Sequence, residues 1–218
     1  QIKQWMDPIG LFSPARMIDP PKMDDERLFR FPSTYRVIPI ETALDWSAWN
    51  VTADPVTEAV SAPGTGGDPA QGFAKAVEMC NNNGTCRKFD ANVMCPSYRA
   101  TRDEQHLTRG RANTLRLALT GQLGPDALAG DEVASAMALC VSCKGCKREC
   151  PTGVDMARMK IEALAARAKR HGVPLRERLI ARLPRIARFA SMAPILFNLR
   201  DMIPGLPALT QSMLGLAA

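Results

Sequence analysis

The sequence is poor in aromatic residues and lacks long apolar segments. Phe, Trp and Tyr make up 6% of the 218 residues, and no apolar run reaches the roughly 20 residues that a membrane-spanning helix needs. The N-terminal residues show no secretory pattern. Trp46 and Trp49 both precede the cysteine-rich region, which is left with little bulky apolar filler. That region therefore needs another source of folding energy, and bound metal can supply it.

Motifs for hydrolysis and for phosphate binding are also missing. No Ser-His-Asp set or paired-carboxylate site is evident. The glycine-rich stretch 64–67 lacks both a preceding strand and the Lys-Ser/Thr pair of a phosphate-binding loop. His106 is expected on a helix surface, and His171 at a helix end, where a cation is favourable. We therefore assign no catalytic residue to this chain.

The net charge of +6 makes nucleic-acid binding the first partner class to consider. The basic residues are spread along the chain, however, and no basic stripe alternates with aromatic residues. We therefore expect no nucleic-acid partner. Acidic partners and anionic membrane surfaces fit this charge better.

The cysteine count separates disulfides from metal binding. Seven cysteines would leave one thiol unpaired in a secreted protein. Closely spaced cysteines in a chain without a secretory pattern favour a metal site in a reducing compartment. We expect a cytoplasmic location, with peripheral contact at the inner face of the membrane as an alternative. The chain begins at Gln1, in mid-pattern, so we also expect a longer polypeptide around it.

The strongest motif is a run of four cysteines that ends in Cys-Pro. It reads C-x2-C-x2-C-x3-C-P and consists of Cys140, Cys143, Cys146 and Cys150 followed by Pro151. In two-cluster ferredoxins the first three thiolates of such a run hold one iron–sulfur cluster, while the fourth reaches the other cluster. The motif predicts a [4Fe–4S] cluster that needs a fourth ligand from elsewhere.

A second cysteine group also ends in Cys-Pro, and exchanging the two Cys-Pro cysteines uses all seven thiols. This group consists of Cys80, Cys86 and Cys95, the last followed by Pro96. The predicted [4Fe–4S] ligands are Cys140, Cys143, Cys146 and Cys95. The predicted ligands of a second cluster are Cys80, Cys86 and Cys150. This second cluster is either [3Fe–4S] or a [4Fe–4S] whose fourth iron carries water or a non-cysteine ligand such as Asn83.

Zinc is the main alternative metal. A structural zinc ion prefers two separated cysteine pairs in a tetrahedral site, and three cysteines within seven residues are crowded for that geometry. For Cys80 and Cys86, a further alternative is that both are ordinary core cysteines.

Helices dominate the predicted secondary structure. We predict helices over 101–120, 131–139 and 155–170, and a helical face containing Phe73, Ala76, Val77 and Cys80. Residues 35–40 are predicted to form a short edge strand. Residues 174–218 should form short helical pieces broken at Pro184, Pro194, Pro204 and Pro207. In 174–189, arginines alternate with aliphatic residues. Such a helix can lie on an anionic membrane or pack on neighbouring domains; we favour packing.

The Cys-Pro endings resemble those of the α-helical ferredoxin domain. That domain occurs in the iron–sulfur subunits of succinate dehydrogenase, anaerobic glycerol-3-phosphate dehydrogenase and glycolate oxidase. The Cys80-x5-Cys86 spacing is similar to the three-iron motif of the succinate dehydrogenase subunit. Eight residues separate Cys86 from Cys95 here, where that family usually has three.

A larger part of the chain is similar to fused FAD-linked oxidases of the D-2-hydroxyglutarate and D-lactate dehydrogenase type. The resemblance lies in residues 79–88, 94–98, 101–104 and 109–113. Residues 7–14 look like the closing segment of the flavin domain, and residues 198–206 like a connection toward a last domain. The family order is a flavin domain, this ferredoxin segment, then a cysteine-rich domain.

The resemblance implies four parts. They are a closing tail of an upstream flavin domain (1–22), a linker (23–71), an α-helical ferredoxin domain (72–172) and a helical extension toward a C-terminal domain (173–218). It implies electron transfer from reduced FAD, in the upstream part, to a downstream acceptor whose identity stays open. The substrate class is a D-2-hydroxy acid, with D-2-hydroxyglutarate favoured and D-lactate or glycolate possible. The alternative is a non-redox docking module stapled by a structural cluster or zinc.

Charged residues beside both Cys-Pro motifs allow two interpretations. Those after Cys95 are Arg102, Asp103, Glu104, Arg109 and Arg111; those in the other motif are Lys144, Lys147 and Arg148. Arginines can raise a cluster's potential by charge and by hydrogen bonds to sulfur, or they can form a salt-bridged helix face. The lysines can offset cluster charge or meet an acidic partner, or they can belong to a solvated loop.

Overall fold

The computed structural model describes residues 2–12, 18–28, 36–51, 63, 65, 68–70, 72–89, 93–192 and 194–215. Within these residues the fold is helical and contains no β-strand, which confirms the mostly α class. The helices are α1 (Ile2–Met6), α2 (Phe73–Glu78), α3 (Pro96–Thr101), α4 (Thr108–Leu119), α5 (Asp131–Ala138), α6 (Gly145–Glu149), α7 (Met156–His171), α8 (Leu175–Ala190), α9 (Pro194–Met202) and α10 (Leu206–Leu214).

Helix α4 is the centre of the cysteine-bearing part and packs against α2, α5 and α7. Leu115 and Ala118 of α4 are completely buried, as are Phe73 of α2 and Val133 of α5. Buried alanines let the helices approach one another closely, so a core with few aromatic residues can still be dense. Four cysteines are buried in this same core, namely Cys80, Cys86, Cys95 and Cys146. These four predicted metal ligands are therefore continuous with the hydrophobic core.

Part of the predicted linker is attached to this core. The indole of Trp46 is 2% exposed and lies 4.9 Å, between ring centroids, from Phe73. The carboxylate of Glu162, on α7, accepts hydrogen bonds from the backbone N–H groups of Ala43 (2.7 Å) and Leu44 (2.8 Å) and from Trp46 Nε1 (2.7 Å). A buried carboxylate is tolerated when donors surround it. Glu162 thus joins residues 43–46 to α7, and the segment supplies aromatic filler that the region itself lacks.

Two predicted helices are confirmed and one is shorter than predicted. Helix α5 and helix α7 lie where expected, and the side chain of Asp155 caps α7 by accepting a hydrogen bond from Arg158 N. The helix predicted over 101–120 begins only at Thr108. Arg102 has a left-handed backbone with φ of 60°, which ends α3 and separates it from α4. The prediction failed because nothing in the residue type of Arg102 indicates that conformation.

The predicted edge strand is wrong for the residues that are described. Residues 36–40 form no strand, and Tyr35 lies outside the described residues. Ile38 N donates one hydrogen bond to the carbonyl of Leu119 (2.8 Å), at the end of α4. Val37 and Ile40 pack against the core. The apolar residues of this segment are therefore buried against helices rather than in a sheet.

The prolines near the C-terminus do not all break helices as predicted. Helix α8 continues through Pro184, whose ring removes one backbone hydrogen bond. No described residue of α8 is buried, so water can bond the carbonyl that Pro184 leaves free. Pro194 begins α9 and Pro207 lies in the first turn of α10, where a missing N–H costs little. Among the described residues, no helix is long and apolar enough to span a membrane.

We predict that Glu162→Gln destabilises the protein. The amide would point an NH₂ group at N–H donors that now face a carboxylate, so at least one of them loses its acceptor. The expected cost is about 1–3 kcal/mol in the free energy of unfolding. Circular dichroism of the full chain, heated anaerobically, measures the change. Glu177→Gln, on the exposed face of α8, is the control; equal melting of both variants would contradict the anchoring role.

Candidate metal centre

Four cysteines from two distant segments line one cavity. They are Cys95, Cys140, Cys143 and Cys146, and Ser97, Arg111 and Met156 line the same space. Cys95 is the N-cap residue of α3, Cys140 and Cys143 lie on the loop between α5 and α6, and Cys146 is in α6. The loop is compact because Ser142 and Lys144 both have left-handed backbones, with φ of 55° and 59°. These four thiols are the predicted ligands of the [4Fe–4S] cluster.

Two charged side chains hold the cysteine loops in place, and neither role was predicted from the sequence. The carboxylate of Glu149, at the end of α6, accepts hydrogen bonds from Val93 N and Met94 N, both at 2.8 Å. This contact fixes the residue before Cys95 to the other cysteine motif, across more than fifty residues of sequence. Lys160, on α7, donates to the carbonyl of Cys140 (2.6 Å). Because these partners are remote in sequence, only the folded chain reveals them.

The arginines that follow Cys95 divide between the two interpretations. Arg111 is 1% exposed, and its Nη1 lies 3.5 Å from Cys95 Sγ. Its Nη2 donates to Ser97 Oγ (2.9 Å), and its Nε donates to the carbonyl of Ala136 (2.8 Å). Arg109 instead pairs with Glu104 on the surface (2.6 Å). Arg111 is therefore part of the cysteine cavity, whereas Arg109 belongs to a salt-bridged face.

Each of the two Cys-Pro cysteines is followed, two residues later, by a residue with a hydroxyl side chain that lies close to its sulfur. Ser97 Oγ lies 3.5 Å from Cys95 Sγ, and Thr152 Oγ1 lies 3.2 Å from Cys150 Sγ. Burial opposes ionisation of Cys95, but hydrogen bonds from Ser97 and the Tyr98 backbone, with the charge of Arg111, lower its pKa overall. At Cys150, burial is likewise outweighed by Thr152 and nearby backbone N–H groups, which lower its pKa. Both sites favour the thiolate, which is the form that binds metal.

Of the three cysteines predicted to hold the second cluster, the structure brings two close together. Cys80 follows α2, Cys86 lies in a single 3-10 turn (Thr85–Arg87), and both are buried. Burial raises the pKa of Cys86, and the neighbouring Cys80 raises it further, so the two thiols are close enough to interact. Cys150 is half-buried just after α6. Its membership of this set rests on the motif and stays a prediction.

Asn83 is the non-cysteine ligand considered for the second cluster. Its side chain forms hydrogen bonds within its own loop. Its Oδ1 accepts from Thr85 N (2.9 Å), and its Nδ2 donates to Asn81 Oδ1 (2.6 Å). Asn82 lies beside one of the thiols, with its Oδ1 at 3.9 Å from Cys80 Sγ, and Asn113 donates to the same oxygen (3.1 Å). This oxygen on Asn82 was not singled out from the sequence.

The cavity suits an iron–sulfur cluster in the chemistry of its donors. Soft thiolates select such clusters, and a buried guanidinium beside them offsets negative charge. Within the part of the chain that the structure describes, no three Cys, His or carboxylate side chains converge as a single metal ion requires. A [4Fe–4S] cluster binds each thiolate through a different iron, so its ligands lie farther apart than those of one ion. In number and in donor type, the four thiols match that group.

The cysteine-bearing part of the chain has a known counterpart. Residues 76–154 match the 4Fe–4S dicluster domain. The matched range contains all seven cysteines and helices α3 to α6, with the second half of α2. It agrees with the ferredoxin-like fold and the iron–sulfur chemistry predicted from the motifs.

Curated relatives extend the match beyond the dicluster domain. The chain is 34% identical over 160 residues to D-2-hydroxyglutarate dehydrogenase of Pseudomonas putida, covering 59% of this chain and 16% of that protein. It is 28% identical over 172 residues to D-2-hydroxyglutarate dehydrogenase of Escherichia coli, covering 63% and 17%. For the Pantoea ananatis protein of the same name the identity is 29% over 154 residues, covering 55% and 15%. No solved structure matches the chain significantly.

These matches confirm the resemblance predicted from the sequence. The chain is similar to an iron–sulfur segment of D-2-hydroxyglutarate dehydrogenases. It spans about one sixth of the length of the curated relatives it matches.

We predict that the anaerobically prepared chain carries about seven to eight irons, the sum of a four-iron cluster and a three- or four-iron cluster. Iron and acid-labile sulfide analysis measures this directly. A value of four would leave Cys80 and Cys86 without a role as ligands.

We predict that Cys95→Ser damages the cluster of the Cys140 motif, although Cys95 belongs to the other sequence group. Cys150→Ser should instead damage the cluster at Cys80 and Cys86. Iron content and EPR spectra of each variant distinguish the two losses, with Ser135→Ala, at an exposed position of α5, as control. If each substitution affects only the cluster of its own sequence group, the exchange of Cys-Pro ligands is wrong.

Proposed function

We propose that this chain is the iron–sulfur electron-transfer segment of an FAD-dependent D-2-hydroxyacid dehydrogenase. The observation that carries the proposal is the cavity lined by Cys95, Cys140, Cys143 and Cys146 within a region that matches the dicluster domain. The ligands would be those four thiols for a [4Fe–4S] cluster, and Cys80, Cys86 and Cys150 for a second cluster, [3Fe–4S] or [4Fe–4S].

A physical reason supports the link to a flavin. A 2-hydroxy acid gives up two electrons together, as hydride, to a flavin, whereas bound iron–sulfur clusters accept and release electrons singly. Two clusters within one short domain therefore suit a donor that must lose two electrons in turn. The names of the relatives favour D-2-hydroxyglutarate as the substrate of the whole enzyme. D-lactate and glycolate remain the alternatives.

The residues of this chain have separate parts in the proposed transfer. Cys95 and Cys146 are buried, which keeps water from the inner side of the cavity, whereas Cys143 is exposed. Lys144, Lys147 and Arg148 are exposed around Cys143. An exposed ligand with cations beside it offers an electron entry or exit point for an acidic partner surface. The flavin domain upstream, the cysteine-rich domain downstream and the acceptor are the partners we propose.

Helix α8 is a second contact surface within this proposal. Leu175, Leu179 and Leu183 are 41–60% exposed on it, together with several arginines. We propose that this face packs on neighbouring domains of the whole enzyme in the cytoplasm. Contact with the inner face of the membrane is the alternative, and flotation with anionic liposomes distinguishes the two.

We predict that the whole enzyme, given D-2-hydroxyglutarate, reduces its flavin and then at least one cluster. Rapid-freeze EPR follows both events. Cys143→Ala should still reduce flavin with substrate but lose most of its turnover with the physiological acceptor, because the exposed end of the route is damaged. Ser135→Ala, at an exposed position of α5, is the control.

The competing function is a non-redox docking module whose fold is stabilised by a structural cluster or a zinc ion. A brown preparation that dithionite bleaches supports electron transfer. A colourless preparation containing zinc, or clusters that stay oxidised while the flavin turns over at full rate, would overturn the proposal.

A further inference from the structure

Arg111 is the most completely buried charged side chain of the described residues, and it lies beside a predicted cluster ligand. It is 1% exposed, on α4, and its guanidinium contacts Cys95 Sγ, Ser97 Oγ and the carbonyl of Ala136. The three contacts use three different nitrogens, so the planar fork is fixed in orientation. Its partners come from α3 and α5, which hold the side chain against the cavity from two sides.

Among the described residues, no carboxylate pairs with the positive charge of Arg111. None of the ion pairs between described residues includes it. A carbonyl and a hydroxyl are neutral acceptors, and a buried cation needs a nearby anion to offset its lost hydration. The remaining contact is the sulfur of Cys95, which lies 3.5 Å from Nη1. The cavity therefore favours a negatively charged occupant.

We propose that Arg111 is a positioning residue that raises the reduction potential of the cluster held by Cys95, Cys140, Cys143 and Cys146. This inference rests on the proposed function. Adding an electron makes the site more negative, and a fixed cation in a poorly polarisable interior stabilises that state more than the oxidised one. A hydrogen bond to a ligating sulfur acts in the same direction.

The surface ion pairs nearby do not have the same effect. Arg109 and Arg87 both pair with the half-exposed carboxylate of Glu104, at 2.6 Å and 3.1 Å. Solvent screens these exposed charges, and Glu104 offsets them. Near the second predicted cluster, Cys150 receives a neutral hydroxyl contact from Thr152. Arg111 thus acts on one of the two predicted sites.

The test compares neutral and charged replacements at this position with a control on the same helix. Arg111→Met removes both charge and hydrogen bonds at similar length. Arg111→Gln removes the charge but keeps a polar group. Arg111→Lys keeps the charge but loses the planar guanidinium and its fixed set of donors. Arg116→Met, at a half-buried position five residues along α4, makes the same change in net charge. Iron content and an EPR-monitored redox titration of the full chain are measured for each variant.

We expect the neutral variants to lower the potential of this cluster by at least a tenfold change in the ratio of reduced to oxidised form, about 59 mV for one electron. Arg111→Lys should lower it less, and Arg116→Met should leave it unchanged. A neutral variant with full iron content and the parent potential would overturn the inference, as would an equal shift in Arg116→Met.

Loss of the cluster is also an informative result. If both neutral variants fail to take up iron while Arg111→Lys loads fully, the requirement for a cation is supported. If Arg111→Lys also fails to take up iron, the role of Arg111 is structural, and the inference about the reduction potential is wrong. A parent chain without a reducible cluster would instead overturn the proposed function, which keeps the two failures separate.

Discussion

The arrangement of the site depends on one constraint: thiols from segments 45 or more residues apart must meet beside a small helical core. The hydrogen bonds from Val93 N and Met94 N to Glu149 meet this constraint, because they hold the segment before Cys95 against the end of α6. The two groups also meet in the shared hydrophobic core, where Cys95 and Cys146 are both buried. A carboxylate that bonds two adjacent N–H groups is a rigid link, because both donors share one acceptor group. The geometry of the cavity follows from this link.

Two buried charges in this domain have different surroundings. Glu162 fastens residues 43–46 to α7, and its lost hydration is offset by three N–H donors. Arg111 stands in the opposite situation, with neutral acceptors and a sulfur around it. The first arrangement is complete within the protein, while we infer that an anionic group completes the second. This difference separates a structural charge from one that belongs to a site.

The sequence predicted those features that depend on local pattern. The Cys-Pro motifs, α5 and α7 all follow from spacing, capping and periodicity, and the structure bears out both helices. The break at Arg102 and the continuation of α8 through Pro184 were missed, because they depend on backbone conformation and solvent exposure rather than on residue type. Glu149 and Lys160 could not be foreseen, since their partners lie far away in sequence. Among the arginines after Cys95, only burial distinguishes Arg111 from the others.

The central claim is that Cys95 completes the cluster site of the other motif. Anomalous X-ray scattering at the iron edge, from crystals of the anaerobically prepared chain, tests it most directly. The account predicts four irons in the cavity lined by Cys95, Cys140, Cys143 and Cys146, with one iron bonded to Cys95 Sγ. Iron bonded to Cys150 together with Cys140, Cys143 and Cys146, with Cys95 left as a free thiol, would contradict it.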